Sequence, residues 1–257
     1  MKNTDYKNVI VRLPCPNIGN GLTTAKLGKP DYQLALQQHL HYCEALKSCG
    51  LTIHFLPEDN DHPDATFVED IALLTPECAI ITNPGAPSRK EEIKGLDSYL
   101  RNFYRNIEFI REPGTVEAGD ILRVDSHYYI GLSGRTNRKG AEQLINILEK
   151  YGMTGSTVPL EKVLHLKTGI AYLGNNCLVA AGEFVNHPEF KNFNILKIPQ
   201  GESYAANCVG INGTVILPAG FPSAKHRIED NGYPTIEVEL SEFRKLDGGV
   251  SCLSLRF

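Results

Sequence analysis

The chain has 257 residues, of which 42% are hydrophobic and 22% are charged, as is typical of a globular protein with a sizeable core. Its formal net charge of −4 and the lack of a Lys/Arg stripe argue against a nucleic-acid partner. No apolar run approaches the roughly 20 residues of a membrane span, and the segment 1–6 lacks the apolar region of a secretory signal, so we expect no membrane partner and a cytoplasmic location.

A pattern of strand, turn, helix and strand recurs along the chain. The strands are continuously apolar or alternate with period two, whereas the helices place apolar residues at i, i+3 and i+4. In chain order the predicted units are a helix over 31–49 with a strand over 51–56; a strand over 79–85, a helix to about 103 and a strand over 107–110; a strand over 128–133, a helix through Leu144 and a strand over 156–158; a strand over 177–182, a short helix near 188–190 and a strand over 195–198; and a strand over 215–220, a helix from 222 and a strand over 236–240.

The predicted unit repeats about every 50 residues, so the 257 residues accommodate about five copies. A period of this length predicts a closed α/β array in one domain that covers residues 1–257. The loops that enter the helices would converge on one central face. Residues distant in sequence can therefore meet in a single site.

The cysteines are seven in number and include no CxxC pair. This usage disfavours a disulfide framework and a structural zinc site, and it suits small buried thiols in a reducing compartment. Cys252 differs from the others because it stands just behind the paired glycines Gly248 and Gly249, which accept backbone angles that other residues avoid and can present the thiol on a tight turn. The sequence therefore singles out Cys252 as a candidate nucleophile.

A cysteine nucleophile needs a histidine to exchange protons with it, and the chain has eight. Seven lie on the first helix, in a strand or in polar loops, whereas His165 lies between apolar residues in a strand-like run. Two interpretations stay open at this point. His165 is either a hydrogen-bonded core residue or the proton-transfer partner of the thiol.

Acidic residues occur inside two otherwise apolar regions. Glu117 and Asp120 stand among small residues between two strands, and Glu69 and Asp70 begin another apolar run, with Asp64 upstream. Buried acids are costly unless they are paired, so helix caps or salt bridges are the structural alternative. Two embedded acidic pairs without a histidine cluster indicate instead a pocket for a cationic ligand.

Two arginines occupy equivalent places in the repeat. Arg89 and Arg135 each follow a strand and a turn, close to the start of a helix. An arginine there can bind a carboxylate through two parallel hydrogen bonds, although a solvated surface arginine is the alternative. The combined set of thiol, histidine, acids and arginines indicates a ligand with a cationic head and an α-amino-acid tail.

Several motifs, in the same order, resemble those of the dimethylarginine dimethylaminohydrolase family. This family belongs to the guanidine-modifying superfamily and has the five-bladed α/β propeller, or pentein, fold. The resemblance covers essentially the whole chain, with one visible departure at Asn83, where relatives can carry arginine. The motifs that carry it lie at 27–32, 67–70, 84–89, 114–120, 135–137, 164–167, 204–208 and 248–252.

The resemblance implies roles for particular residues. Cys252 would be the nucleophile, His165 would donate and accept protons, and Glu117 would bind or orient the groups around them. The segment 19–24 matches a mobile lid. The substrate contacts implied are Glu69 and Asp70 at the guanidinium, Asp64 with the main chain of Leu22 and Leu246 at the α-ammonium, and Arg89 and Arg135 at the carboxylate.

The implied reaction is hydrolysis of Nω-methylated arginines to citrulline and dimethylamine or methylamine, through a covalent S-alkylthiouronium on cysteine. It requires no cofactor and no metal, and its only implied partner is the small-molecule substrate, for a monomer or a homodimer. Two alternatives stay open. One is a deiminase of arginine or another guanidine, although arginine deiminases carry a helical insertion that is absent here. The other is a non-catalytic pentein that binds ribosomes, for which an acidic chain is poorly suited.

Overall fold

The computed structural model describes residues 5–257; Met1–Thr4, part of the segment used in the argument on secretory signals, lie outside the described residues. The described chain forms five three-stranded sheets. In each sheet the middle strand pairs antiparallel with one neighbour and parallel with the other. This is the predicted five-bladed α/β propeller, and the expectation of a fivefold repeat is confirmed.

A helical segment joins the middle strand of each blade to the parallel strand that follows it, and in the fourth blade along the chain this segment is 3₁₀ only. In chain order the strands and α-helices are β1 (Asn8–Val11), α1 (Tyr32–Ser48), β2 (Thr52–Phe55); β3 (Ala72–Leu74), β4 (Ala79–Ile81), α2 (Leu96–Leu100), β5 (Ile107–Phe109); β6 (Ile121–Val124), β7 (His127–Leu132), α3 (Arg138–Lys150), β8 (Thr154–Pro159); β9 (Ile170–Gly174), β10 (Cys177–Ala180), β11 (Asn194–Lys197); β12 (Val209–Ile211), β13 (Thr214–Pro218), α4 (Pro222–Asp230), β14 (Thr235–Val238); α5 (Ser241–Arg244) and β15 (Leu255–Arg256).

The two longest helices begin where side-chain caps are available. Asp31 accepts a hydrogen bond from the Leu34 N–H at the start of α1, and Asn137 accepts one from the Gly140 N–H at the start of α3. One face of each helix is buried, as the apolar spacing predicted: α1 packs against β2 of its own blade and β14 of the neighbouring blade, and α3 packs against β7 and β8. None of the helices within residues 5–257 combines the length and hydropathy that a bilayer crossing requires.

Two local predictions differ from the structure. The helix predicted to reach residue 103 is divided into a 3₁₀ helix, Pro87–Ile93, and α2, because Gly95 between them has a φ of +73°. The strand-like run around His165 is not a strand. His165 is a single extended residue in front of a 3₁₀ helix, and β9 begins only at Ile170.

The first sheet joins the two ends of the described chain. Strand β15 pairs antiparallel with β1, with Val9 opposite Arg256 and Ile10 opposite Leu255. The aromatic ring of Phe257 packs against Phe103 with ring centroids 5.1 Å apart. The order of strands in this sheet is therefore β15, β1, β2, and it closes the propeller.

A short 3₁₀ helix precedes the first strand of every blade, and these helices surround the propeller axis. Four of the five neighbouring pairs contact one another, and Ser251 at the start of the last helix donates a hydrogen bond to Asn207, directly after the fourth helix; we refer to the five helices as the central ring. Residues in or beside the ring are thereby brought together from all five blades. Its members are Val68–Ile71, Ala118–Asp120, Leu166–Thr168, Gln200–Ala206 and Ser251–Leu253.

Candidate active site

One side of the central ring opens into a cavity of about 160 Å³, which we call the front cavity. It collects nine of the ten site residues expected from the sequence, and the tenth, Glu69, lies elsewhere. The lining residues are Leu22, Thr23, Thr24, Asp64, Phe67, Asp70, Arg89, Glu117, Arg135, Leu164, His165, Leu246, Asp247, Gly248 and Cys252.

The central ring explains why these residues meet. Asp70 and Cys252 lie within ring helices, and Glu117 and His165 each stand immediately before one. Gly119 permits their close approach, because a Cβ there would lie 2.8 Å from Asp70 Oδ1 and 3.0 Å from the His165 ring. The small residues in the motif around Glu117 thus have a packing role at the site.

Glu117 and His165 form a buried pair. Glu117 Oε2 lies 2.8 Å from His165 Nε2, and Glu117 is only 1% exposed. The other carboxylate oxygen, Oε1, accepts the Ala86 N–H at 2.9 Å and lies 3.4 Å from Arg135 Nη1. These contacts fix the carboxylate and, through it, the imidazole.

The charges around His165 favour its protonated form. Burial alone would lower the pKa of His165, but the carboxylates of Asp70, Glu117 and Asp120 outweigh it and raise the pKa to about 9. Burial opposes ionisation of Glu117 as well, yet the hydrogen bond from His165 lowers the pKa of this carboxyl below its usual value. At neutral pH the pair is therefore an imidazolium and a carboxylate.

Asp70 is held in place by a backbone N–H and an arginine. Its Oδ1 accepts the Gly119 N–H at 2.9 Å, and its Oδ2 lies 2.5 Å from Arg89 Nη1. Arg89 also donates to Glu92, from Nε at 3.0 Å and from Nη2 at 2.8 Å, and from Nη2 to the Phe67 carbonyl at 2.9 Å. Most of this guanidinium is thus used within the protein, and only one N–H, on Nη1, has no recorded acceptor among residues 5–257.

Arg135 has more free hydrogen-bonding capacity than Arg89. Its side chain makes a single hydrogen bond within the described part of the chain, the 3.4 Å contact to Glu117. Its backbone is held close to Gly85, where a Cβ would lie 2.2 Å from the Arg135 carbonyl oxygen. The guanidinium is therefore positioned but largely available for an anionic group in the front cavity.

The residues expected around an α-ammonium group lie together at the cavity. Asp64 accepts the Leu22 N–H at 3.0 and 3.1 Å through its two oxygens, and burial raises the pKa of its carboxyl. Beyond Leu22, the Thr23 hydroxyl donates to the Lys245 carbonyl at 2.8 Å, and the Thr24 N–H donates to Asp247 at 2.5 Å. The segment predicted to act as a lid thus covers the cavity beside Leu246.

Glu69 differs from the prediction, because its side chain points away from the front cavity. Lys167 Nζ and Arg256 Nη2 donate to its Oε1 at 2.7 and 2.9 Å, and Ser251 Oγ donates to its Oε2 at 2.6 Å. These four residues line a second space of about 110 Å³, the rear cavity, on the other side of the ring. Neighbouring residues of the ring helix project in different directions, so Asp70 reaches the front cavity and Glu69 does not.

Cys252 is the one cysteine among the seven that is not fully buried. Its Sγ accepts the Gly249 N–H at 3.4 Å and is 3.9 Å from Asn207 Nδ2. Burial, together with the charges of Glu69 and Asp70, raises the pKa of the thiol to about 12. The resting thiol is therefore neutral, and it has no hydrogen bond to His165 among the contacts of residues 5–257.

Asn207 received no role from the sequence, although it lies within a motif that carries the resemblance. The available signal was its place in the repeat, directly after a short helix and before the first strand of a blade. In three other blades Asp70, Glu117 and His165 lie within or directly before the corresponding helix. This place alone did not predict the contact between Asn207 and the thiol, which only the structure shows.

A cluster able to contact one cation lies in the front cavity. Asp70, Glu117 and His165 offer oxygen and nitrogen atoms that lie within 4.8 Å of one another, the one such group found within residues 5–257. The imidazole is held protonated in this cluster, and a protonated imidazole has no lone pair for a metal. The arrangement suits an organic cation with N–H donors better than a metal ion, and we assign no metal here.

Comparisons with known proteins agree with this geometry. The family model described as N,N dimethylarginine dimethylhydrolase, eukaryotic, matches residues 24–211. An N(G),N(G)-dimethylarginine dimethylaminohydrolase from Pseudomonas aeruginosa is 56% identical over 253 residues, which cover 98% of this chain and 100% of the relative.

Solved structures give the same result. A cysteine-to-serine variant of the Pseudomonas aeruginosa enzyme in complex with citrulline superimposes with a TM-score of 0.97 at 55% identity, covering 98% of this chain and 100% of that one. A histidine-to-glycine variant of a dimethylarginine dimethylaminohydrolase, as its adduct with S-methyl-L-thiocitrulline, gives the same values. The N-terminal domain of ArgZ, an arginine dihydrolase from cyanobacteria, shares the fold with a TM-score of 0.84 at 17% identity, covering 98% of this chain and 97% of that one. The extent of these matches shows that the chain belongs to the dimethylarginine dimethylaminohydrolase family.

Proposed function

We propose that this chain hydrolyses Nω-methylated arginines to citrulline and dimethylamine or methylamine. The observation that carries the proposal is the placement of Asp70 and Glu117, two buried carboxylates, in one small cavity with the thiol of Cys252. The 56% identical relative carries the name of this activity, and a structure 55% identical holds its product, citrulline. The thiocitrulline adduct supports a covalent route.

The front cavity offers a complementary group to each part of the substrate. The guanidinium would lie between Asp70 and Glu117, whose charges attract it. The α-ammonium would bind Asp64 and the main chain of Leu22 and Leu246. Arg135, with the remaining Nη1 hydrogen of Arg89, would bind the α-carboxylate. Each end of the substrate thus meets the opposite charge, which fixes its direction in the cavity.

The first half of the reaction forms a covalent intermediate. The bound cation stabilises the Cys252 thiolate, whose proton leaves to solvent, and Sγ attacks the guanidinium carbon. His165, protonated at neutral pH, donates its proton to the methylated nitrogen of the tetrahedral adduct. The C–N bond then breaks, dimethylamine leaves, and a cationic S-alkylthiouronium remains on Cys252.

The second half releases citrulline. His165 is now neutral and takes a proton from water, whose hydroxide adds to the thiouronium carbon. The C–S bond breaks, Cys252 leaves as a thiolate, and the hydroxyl proton is lost as the carbonyl of citrulline forms. Glu117 keeps the imidazole oriented throughout and stabilises its protonated form.

The test is product analysis with two substrates. Purified protein is incubated with asymmetric dimethylarginine or with arginine, and citrulline, dimethylamine and ammonia are quantified. We expect citrulline and dimethylamine in equal amounts from the methylated substrate and little ammonia from arginine. Predominant release of ammonia from arginine would identify a deiminase instead, and no product from either substrate would favour a binding protein. Cys177→Ser, which alters a buried thiol in another blade, serves as the matched control for Cys252→Ser.

The site also bears on the organisation of the protein. We propose a single catalytic domain over residues 1–257, because residues within or directly flanking all five ring helices lie at or beside one cavity. The seven cysteines are all free, which suits the reducing conditions of the cytoplasm. The expectation of a monomer or a homodimer, with no nucleic-acid partner, stays a prediction that size-exclusion chromatography with light scattering can test.

A further inference from the structure

Within or directly before four of the five helices of the central ring stands a residue with a role in the proposed reaction. These are Asp70, Glu117, His165 and Cys252. The fifth ring helix, Gln200–Ala206, is followed directly by Asn207, which is 7% exposed and lies beside the thiol. This residue has no part in the mechanism described above, although its Nδ2 is 3.9 Å from the nucleophilic sulfur.

The contacts of Asn207 fix which end of its carboxamide faces the thiol. The Ser251 N–H donates to Asn207 Oδ1 at 2.9 Å. A backbone N–H can only donate, so the acceptor facing it must be the oxygen of the side chain. The NH₂ group is therefore directed at Cys252 Sγ as a donor.

Gly249 completes the arrangement. Its N–H is 3.4 Å from Sγ, which gives the sulfur a second donor. A Cβ on Gly249 would lie 2.4 Å from Asn207 Cγ and 2.7 Å from its Oδ1 and Nδ2. Glycine at this position thus allows the carboxamide to lie against the backbone that precedes the nucleophile.

These donors act in surroundings that otherwise oppose a thiolate. Burial raises the pKa of the thiol most, and the negative charges of Asp70 in the front cavity and of Glu69 on the rear side of the same ring helix raise it further. Lys167 contributes an opposing positive charge, but its ammonium is bonded to Glu69. Tyr204 also lies near the thiol, and its hydroxyl donates to the Gly248 carbonyl. Within the described residues, the hydrogen-bond donors directed at Sγ are Asn207 Nδ2 and the Gly249 N–H.

We propose that Asn207 is a further catalytic residue, which donates a hydrogen bond to the Cys252 thiolate and, together with the Gly249 N–H, holds Sγ in position for attack. Ionisation breaks the S–H bond and releases the proton to solvent, while Asn207 keeps both of its protons. The effect on turnover rests on the function proposed above, whereas the effect on the free thiol does not.

The test measures the thiol without any substrate. The rate constant for alkylation of Cys252 by iodoacetamide is measured between pH 7 and pH 9 by peptide mass spectrometry in the wild type, Asn207→Ala and Asn207→Asp. We expect the rate constant at each pH to fall by about tenfold in Asn207→Ala, because a hydrogen bond to a charged group is lost and the thiolate fraction falls. It should fall further in Asn207→Asp, which places a negative charge beside the sulfur. Unchanged rate constants in both variants would overturn the proposal.

Turnover gives a second readout. With asymmetric dimethylarginine, kcat should fall by about 10–100-fold in Asn207→Ala while KM changes little, because the lost donor acts on the nucleophile. Gly249→Ala should lower the alkylation rate constant in the same way by displacing the carboxamide. If wild-type protein does not hydrolyse the substrate, the function proposed above fails while the alkylation profiles still decide the role of Asn207.

The chain contains a matched control pair. Asn194 Nδ2 lies 3.8 Å from Cys177 Sγ in another blade, nearly the same distance as in the Asn207 pair. Asn194→Ala should leave both the Cys252 profile and kcat at wild-type values. Asn207→Asp retains an oxygen acceptor for the Ser251 N–H, so it keeps the test decisive if Asn207→Ala does not fold by circular dichroism.

Discussion

The two sides of the central ring differ in how their buried charges are used. On the rear side, Glu69 is 2% exposed and receives hydrogen bonds from Lys167, Arg256 and Ser251. On the front side, Glu117 is 1% exposed and bonded to His165, while Arg135 has only one long contact to it. The rear glutamate is saturated by protein donors, whereas the front groups keep hydrogen-bonding capacity for a ligand.

This difference shows how one ring serves two purposes. Two ring helices each carry two adjacent residues that face opposite sides. Glu69 and Ser251 line the rear cavity, whereas the residues that follow them, Asp70 and Cys252, line the front cavity. On the rear side, the hydrogen bond between Glu69 and Ser251 joins two ring helices. On the front side, Asp70 and Cys252 would bind and attack the substrate. Substitutions on the rear should therefore change stability, and substitutions on the front should change turnover.

The largest effect expected on the front side is that of Cys252→Ser. Because the nucleophile is lost, kcat for asymmetric dimethylarginine should fall by at least ~10⁴-fold. The free energy of unfolding, measured with urea, should stay near the wild-type value because the hydroxyl fits the space of the thiol. Turnover by this variant close to that of the wild type would show that Cys252 is not the nucleophile.

His165→Gly should separate the two halves of the reaction. With dimethylarginine, the adduct should form poorly because no imidazolium protonates the amine, and turnover should fall by ~10²–10⁴-fold. With S-methyl-L-thiocitrulline, whose leaving group needs less assistance, the adduct should form and persist. Intact-mass spectrometry measures both, and rapid release of citrulline from this adduct would contradict the role of His165 as the base.

Glu69→Gln tests the rear side directly. Lys167 and Arg256 lose their shared carboxylate, so the free energy of unfolding should fall by about 3–5 kcal/mol. At a temperature where the variant stays folded, kcat should remain within about tenfold of the wild type, whereas the front-side counterpart Glu117→Gln should lose ~10²–10⁴-fold. If Glu69→Gln raises KM strongly and leaves stability intact, Glu69 contacts the substrate as the resemblance implied.

The pH dependence of stability should also report the front side. The pKa of His165 is raised from 6.5 to about 9, so the folded state binds its proton more tightly than the unfolded state does. This contribution is complete below pH 6.5 and is lost as the pH rises through about 9, which amounts to roughly 3 kcal/mol. Urea unfolding between these pH values should show the loss in the wild type, and His165→Gln should show little of it.

The sequence was sufficient to predict the fivefold repeat, because the period and the apolar spacing are local properties. Helices α1 and α3 form where this spacing predicts them, and Asp31 and Asn137 cap their first turns. The motifs also located Cys252, His165 and Glu117, whose convergence follows from closure of the repeat. These features depend on pattern alone, and no side-chain conformation enters into them.

What the sequence did not reveal depends on the direction of side chains in short 3₁₀ segments. Glu69 and Asp70 are both acids at the start of an apolar run, and only the backbone of the ring decides which one faces the substrate. The orientation of Asn207 likewise depends on the Ser251 N–H, a contact across 44 residues. Gly95 ends a helix through its positive φ, which its position within an otherwise helical pattern did not reveal.

The pairing of β15 with β1 has a consequence for folding order. Four sheets take their strands from continuous stretches of chain, but the first sheet pairs Val9 with Arg256. The two strands are far apart in sequence, so pairing them early would cost much loop-closure entropy. We expect the intervening blades to form first and to reduce this cost. Because Cys252 stands just before β15, we expect partly folded chains to have four ordered blades and no aligned nucleophile. The thiol would reach its reactive position only when β15 pairs with β1.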